Sequence, residues 1–226
     1  MKYAIFDTET NGLFRFKDAN GVPVPADDPS QPRLAHLGMI LLDEALAEER
    51  TIDLYVKPDG WGMTAEAGAI NGLTNEFLTA NGIPILDVLA SYVEVVDAGY
   101  VMVAFNAQFD LKQMRGELRR AGMDDRFDRT PNICVMRASM SQGVKKASGG
   151  GGFPKLSDCC THFGIDHAGV HTAGGDARAA LDIFRRLHAI DALPEARVHY
   201  AKTPPLHAKE PPDPFPARVA SMPERF

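Results

Sequence analysis

The sequence has little cysteine: three residues among 226, at positions 134, 159 and 160. Their number and spacing exclude a disulfide framework or a zinc ribbon and predict small buried thiols. Long hydrophobic runs are also missing, because none approaches the roughly 18 residues of a membrane span. Asp7 and Glu9 stand where an export signal would need its apolar stretch, so the expected location is the cytoplasm.

The sequence also has no surplus of positive charge, because its formal net charge is −6. This balance argues against indiscriminate binding of long polyanions. Residues 110–155 nevertheless carry 10 Lys and Arg against 5 Asp and Glu, which allows a local phosphate-binding surface. With 45% hydrophobic and 24% charged residues, the composition is typical of a globular protein.

The apolar patterns predict an α/β domain that ends near residue 190. Strands are expected at Lys2–Asp7, Leu34–Asp43, Thr51–Val56 and Tyr100–Phe105, while Asn132–Ala138 is ambiguous between a fifth strand and a helical turn. Helices are expected from Thr74 to Leu78 and at Ile85–Ala98, Ala107–Ala121, Leu156–Phe163 and Thr172–Ile190.

Three polar segments interrupt or follow this pattern. Phe14–Pro32 is rich in Pro, Gly and Asp and predicts a surface loop or small hairpin. Ser148–Phe153 contains four glycines without the residues of a phosphate-binding loop, which favours a plain loop. Residues 191–226 contain eight prolines and predict an extended tail.

Acidic residues recur where apolar strands and helices meet. Asp7 and Glu9 lie two apart at a strand end and therefore share one face. At about 100° per residue, Asp110 falls on the stripe of its helix that holds Met114, whereas Lys112 falls on the opposite, solvent-facing side. The acids are thus predicted to point inward.

The fourth inward acid lies on the last predicted helix. Asp176 shares a stripe with Ala180, Ile183 and Leu187. His171 precedes this acid by five residues, so both can reach one site only if His171 sits on the preceding loop.

Four inward acids would repel one another in a dry cleft unless cations neutralised them. Oxygen ligands favour Mg²⁺ or Mn²⁺ over zinc. Two such ions can clamp a phosphodiester for in-line attack by water, and an imidazole is a suitable base for that water. A glycosyltransferase with a D-x-E motif is a weaker alternative, because it leaves Asp110, His171 and Asp176 unexplained.

Three motifs, in order, resemble those of the DEDDh 3′-to-5′ exonucleases. They are D-T-E-T-N-G (Asp7–Gly12), F-N-A-Q-F-D (Phe105–Asp110) and H-T-A-G-G-D-A (His171–Ala177), within a similarity that runs from about Met1 to Ile190. Ile133–Ala138 is most similar to the exonuclease X and polymerase proofreading-subunit branch.

This resemblance implies a ribonuclease H-like sheet of five strands with helices on both faces. It implies two Mg²⁺ or Mn²⁺ ions held by Asp7, Glu9, Asp110 and Asp176, with His171 as general base. It also implies contacts to the terminal nucleotide from the residues around the first motif and before the third acid, which are Thr8, Thr10, Asn11, Gly12, Leu13 and Asn106. Phe109 is expected either to stack or merely to pack.

One residue and one segment depart from the family pattern. Asn71 stands where the family usually has histidine, and the Phe14–Pro32 segment is longer than expected. Neither departure removes an expected metal ligand.

The sequence therefore predicts an exonuclease domain at 1–190 and a tail at 191–226. The expected activity is metal-dependent release of nucleoside 5′-monophosphates from the 3′ end of single-stranded or frayed DNA. An RNA-trimming 3′-to-5′ exoribonuclease is the alternative enzyme, because 2′-OH recognition depends on local geometry. A non-enzymatic alternative is an interaction module whose tail binds a DNA polymerase or another replication protein.

Overall fold

A computed structural model describes residues 1–167 and 171–198. Its order of elements begins with an antiparallel meander and continues with alternating helices and strands. The strands are β1 (Tyr3–Thr10), β2 (Leu34–Leu42), β3 (Glu48–Tyr55), β4 (Val101–Ala104), β5 (Pro131–Cys134) and β6 (Arg197–Val198). The helices are α1 (Ala65–Asn71), α2 (Asn75–Asn81), α3 (Ile85–Asp97), α4 (Ala107–Arg120), α5 (Val135–Ser141), α6 (Leu156–Phe163) and α7 (Ala173–Ala189), with a 3₁₀ turn at Phe127–Arg129.

The strands form one mixed sheet in the order β3-β2-β1-β4-β5-β6. β1 pairs antiparallel with β2 and parallel with β4, and β4 pairs parallel with β5. The predicted mixed sheet with helices on both faces is confirmed, but the strand count of five was wrong. The sixth strand comes from Arg197–Val198, within the segment expected to be a tail, and pairs antiparallel with β5.

Two apolar layers cover the sheet. Alternation along β1 sends Ala4 and Phe6 into the layer shared with α3 and α4, and Tyr3 and Ile5 into the layer shared with α6 and α7. The three cysteines are buried free thiols, as expected. Among the described residues, no helix is both long and apolar enough to cross a membrane.

Most predicted boundaries lie within a few residues of the observed ones. Asn132–Ala138 divides into β5 followed by α5, whereas the sequence pattern did not reveal α1. The predicted boundary after residue 190 stays a prediction, and residues 199–226 of the expected tail lie outside the described part of the chain.

The close approach of α7 to β2 requires a glycine. A Cβ built on Gly38 would lie 2.5 Å from the carbonyl carbon of Ala173, the first residue of α7. Real Cβ atoms do not come this close to backbone, so a side chain at position 38 would push the start of α7 away from the sheet.

We therefore expect Gly38→Ala to lower the free energy of unfolding by about 1–3 kcal/mol, the usual cost of overpacking. Urea unfolding measures the change. Gly151→Ala is the matched control, because a Cβ there meets no atom within 4 Å. Equal stabilities of the two variants would contradict the close approach of α7 to β2.

Candidate active site

The end of β1 carries the first two acids beyond its last pairing with β4. The β1–β4 register stops at the pair Ile5 and Val103, so Asp7 and Glu9 project past the end of β4. Both side chains are half-buried and share the α7 side of the sheet, as the alternation predicts.

Asp110 approaches the same strand end from α4. It is 2% exposed, and its Oδ1 accepts hydrogen bonds from the Thr8 backbone N–H at 3.0 Å and the Thr8 hydroxyl at 2.8 Å. Because Thr8 faces the opposite side of β1 from Asp7 and Glu9, it ties α4 to the strand that carries them. The predicted inward direction of Asp110 is confirmed.

Asp176 approaches from the other face, in the first turn of α7. Thr172 caps this helix by accepting the Gly175 N–H. One carboxylate oxygen each from Asp7, Glu9 and Asp176 lie within 4.8 Å of one another. This spacing allows the three oxygens to share a cation.

All four acids and His171 line one cavity of about 190 Å³, together with Asn106 and Phe109. His171 is exposed, and its backbone N–H donates to Asp176 Oδ1 at 3.3 Å. The five residues predicted as catalytic are therefore brought together, although they come from three separate segments.

Burial and mutual repulsion make the four acids hard to ionise together. Burial, followed by repulsion from Asp110, Glu9 and Asp176, raises the pKa of Asp7 well above its usual range. Burial and then repulsion from Asp176 raise the pKa of Glu9 to about 8. Burial raises the pKa of Asp110 to about 7 against the lowering effect of the Thr8 hydrogen bonds. A hard divalent cation fits this all-oxygen donor set and would remove the repulsion.

A larger groove of about 510 Å³ adjoins the acids. Thr8 and Glu9 line both spaces, and so does Phe109. The other residues of the groove include two exposed apolar side chains, Leu13 at 81% and Ile70 at 56%. A mixed wall of exposed apolar side chains and backbone suits a nucleobase and its sugar.

The residues predicted to bind substrate divide into three groups. Thr8, Thr10, Gly12 and Leu13 line the groove, whereas Asn106 lines the acid cavity. Asn11 lines neither space. Its amide donates to Gly62 O at 2.9 Å and accepts from the Arg33 N–H at 2.7 Å, so it fastens the loop that carries Leu13.

Asn71, at the position where histidine was expected, is buried. Its amide donates to Thr10 O at 3.2 Å and accepts from the Leu73 N–H at 3.1 Å. A hydrogen bond from Asn71 also counters the rise in the pKa of Glu9. Asn71 therefore lies against the acid cluster while also supporting β1.

Sequence reasoning missed the pair of His36 and Asp53. His36 is 1% exposed, its Nδ1 accepts the Ala173 N–H at 3.3 Å, and its Nε2 lies 2.7 Å from Asp53 Oδ1. The Nδ1 contact places the ring proton on Nε2, which donates to Asp53. Burial lowers the pKa of His36 despite Asp53, which agrees with a neutral ring. The pair thus fixes the start of α7, the helix of Asp176.

His167 was missed as well. Its Nε2 lies 2.9 Å from Asp176 Oδ1, the oxygen that also accepts the His171 N–H. Proximity in sequence to His171 was the only available signal, since His167 stands outside the recognisable motif.

Comparisons with known proteins agree with this geometry. The RNase_T family model, described as exonuclease, matches residues 4–184. The Escherichia coli exonuclease I complex with a dT13 oligonucleotide has a TM-score of 0.66 and 18% identity over 84% of this chain and 42% of that one. Exonuclease I from Methylocaldum szegediense has a TM-score of 0.65 and 22% identity over 83% of this chain and 40% of that one.

The nuclease domain of 3′hExo, a DEDDh family member bound to rAMP, has a TM-score of 0.65 and 15% identity. That match covers 87% of this chain and 97% of the 3′hExo chain. The chain spans about two fifths of the length of the exonuclease I structures it matches. No curated protein matches the sequence significantly.

Fold and site together define a hydrolytic nuclease. The chain belongs to the RNase_T exonuclease family, so the predicted exonuclease is confirmed. The fold shared with 3′hExo agrees with the resemblance to DEDDh members. Its closer placement in the exonuclease X and proofreading-subunit branch stays a prediction.

Metal binding should become more stabilising as pH rises. In the unfolded chain the acids titrate near pH 4, whereas in the folded, metal-free protein the pKa of Glu9 is about 8. The folded state therefore holds more protons between these values, and the free energy of unfolding falls as pH rises through them. Because a bound cation favours ionised carboxylates, it reverses this loss.

Thermal unfolding in EDTA and in Mg²⁺ tests this expectation. The increase in Tm caused by Mg²⁺ should be larger at about pH 8 than at about pH 5. Asp7→Asn should reduce this increase and make the metal-free protein more stable than the native one at the higher pH. An equal Mg²⁺ effect at both pH values would contradict the prediction.

Proposed function

We propose that this exonuclease acts on the 3′ end of single-stranded or frayed DNA and releases nucleoside 5′-monophosphates with two Mg²⁺ or Mn²⁺ ions. The observation that carries the proposal is the convergence of four carboxylates and His171 in one cavity that adjoins a groove with exposed apolar side chains. Such a site suits one phosphodiester and its terminal nucleotide.

Asp7, Glu9, Asp110 and Asp176 would hold the ions. Divalent ions supply charge neutralisation at the phosphoryl oxygens and a lowered pKa for the attacking water. Three residues then act directly on the reaction. His171 accepts the proton of the water at the mouth of the cavity, Asn106 orients the phosphodiester, and Leu13 packs on the terminal base.

The net charge of the chain supports contact with only a few nucleotides of the substrate. A protein with a net charge of −6 gains little from neutralising a long duplex, whose affinity comes mainly from phosphate contacts. Metal coordination and base stacking instead concentrate affinity at one strand end. We therefore propose single-stranded ends as the substrate.

An RNA-trimming activity is the second candidate, because the 3′hExo domain in the matched structure is bound to rAMP. Parallel digestion of matched DNA and RNA oligonucleotides distinguishes the two. Recruitment of a polymerase or another replication protein through residues 191–226, and a cytoplasmic location, stay predictions.

Removal of Asp7 should abolish activity. With a 3′-labelled DNA oligonucleotide and Mg²⁺, the native protein should release labelled mononucleotide, whereas Asp7→Ala should release none because a central cation ligand is lost. Asp87→Ala, an exposed acid in the first turn of α3, is the matched control and should remain active. Equal release by native protein and Asp7→Ala would refute the assignment.

The two histidines near Asp176 should differ in importance. We expect His171→Gln to lower kcat by about 10²–10⁴, the usual contribution of a general base. His167→Gln should lower it much less, because His167 contacts Asp176 but does not line the acid cavity. Single-turnover rates under saturating Mg²⁺ measure both effects, and a larger loss in His167→Gln would assign the base to that residue instead.

A further inference from the structure

The Phe14–Pro32 segment is held against the body by its own polar contacts. The buried Gln31 amide donates to Arg15 O at 2.8 Å and Pro25 O at 3.0 Å, and its oxygen accepts the Arg15 N–H at 3.0 Å. The Arg120 guanidinium on α4 donates to Asp28 O at 3.0 Å and to Gln31 O at 3.3 Å. These bonds fix the position of Arg15 relative to α4.

A close backbone approach adds to this attachment. A Cβ built on Gly116 of α4 would lie 2.4 Å from Ala26 O, so the segment packs directly on the helix that also carries Asp110. The segment is therefore packed firmly against the body and forms the side of the groove that is lined by Phe14 and Arg15.

Aromatic rings connect the acid cavity to this segment. Phe109, which lines both the cavity and the groove, meets the Phe14 ring edge-on at 5.5 Å. Phe14 in turn contacts Phe16 at 6.4 Å. Phe14 is buried, whereas Phe16 leaves 50% of its surface exposed. An exposed ring at the end of an otherwise packed row is available for stacking.

One cation, Lys112, lies over the exposed ring, and another, Arg15, directly precedes that ring in sequence and lines the groove. Lys112 Nζ lies 4.6 Å from the centroid of Phe16 and 5.0 Å from that of Phe14. Neither Lys112 nor Arg15 forms an ion pair with a carboxylate in the described ranges, whereas Arg115 on the same helix is paired with Asp125. Lys112 Nζ also donates to Val24 O at 3.5 Å, but no carboxylate of the described residues neutralises its charge or that of Arg15, so both can pair with phosphate.

This arrangement corrects one expectation from the sequence. Lys112 does lie away from Asp110 on α4, as predicted, but it is not simply solvated, because it packs over two rings of the segment. Its position joins positive charge to an exposed aromatic, the combination that binds single strands.

We propose that Phe16, Arg15 and Lys112 form a platform for the nucleotide that precedes the 3′-terminal one. Its base stacks on Phe16, and its phosphate pairs with Arg15 and Lys112. The proposal rests on the proposed function, since it extends the same substrate strand from the groove onto the Phe14–Pro32 segment.

Two substrates distinguish binding at the platform from binding at the catalytic site. An oligothymidylate occupies both, whereas the p-nitrophenyl ester of thymidine 5′-monophosphate has a single nucleotide and occupies only the catalytic site and its groove. We expect Phe16→Ala to raise KM for the oligothymidylate about 5- to 150-fold, the equivalent of losing one stacked base. KM and kcat for the ester should not change, and Phe16→Trp should retain the native KM for both.

Lys112→Ala is tested by binding. Fluorescence anisotropy of a labelled oligothymidylate in EDTA should show weaker binding, and the slope of log affinity against log salt concentration should fall by about 0.7, the loss of one phosphate contact. Leu86→Ala, an exposed apolar residue on α3, is the matched control and should match the native protein in both assays.

The outcomes are distinguishable. Hydrolysis of neither substrate by the native protein would overturn the proposed function and the platform with it. Native hydrolysis of both substrates, with Phe16→Ala unchanged on the oligothymidylate or equally impaired on both, would overturn the platform alone.

Discussion

Repulsion among carboxylates is the constraint on which this structure depends. Two acids at the end of β1, one on α4 and one on α7 meet in a space from which water is partly excluded, and burial raises the pKa of Asp7, Glu9 and Asp110. Contacts must therefore hold α4 and α7, which lie on opposite faces of the sheet, at the end of β1 despite this repulsion. Thr8 fastens α4, and the glycine at position 38 lets α7 come close enough to be fastened as well. This repulsion would destabilise the metal-free protein, and a bound cation would relieve it.

Much of the site could be predicted from the sequence because it follows backbone periodicity. The two-residue spacing of Asp7 and Glu9 places them on one face, and the helical stripe of Asp176 with Leu187 indicates its direction. Both arguments use local geometry alone. The order of the three motifs then supplied what periodicity cannot, namely that elements more than a hundred residues apart meet at one strand end.

The parts that could not be predicted depend on contacts between distant segments. His36 and Asp53 lie 17 residues apart on neighbouring strands, and only the three-dimensional contact with Ala173 reveals what they hold. α1 is a short helix whose seven residues include a glycine, so its periodicity is weak. The position of Lys112 over two rings depends on how the Phe14–Pro32 segment packs on α4. The spacing of residues along α4 does not reveal that packing.

The pairing of Arg197–Val198 with β5 has a consequence for the boundary expected at residue 190. Without those two residues, the part of β5 that they pair with, Pro131 and Asn132, would become an open edge. An open edge is a template for a strand from another molecule. Arg197 and Val198 thus cover part of this edge, and a protein shortened at residue 190 would expose it while keeping every acidic residue of its site.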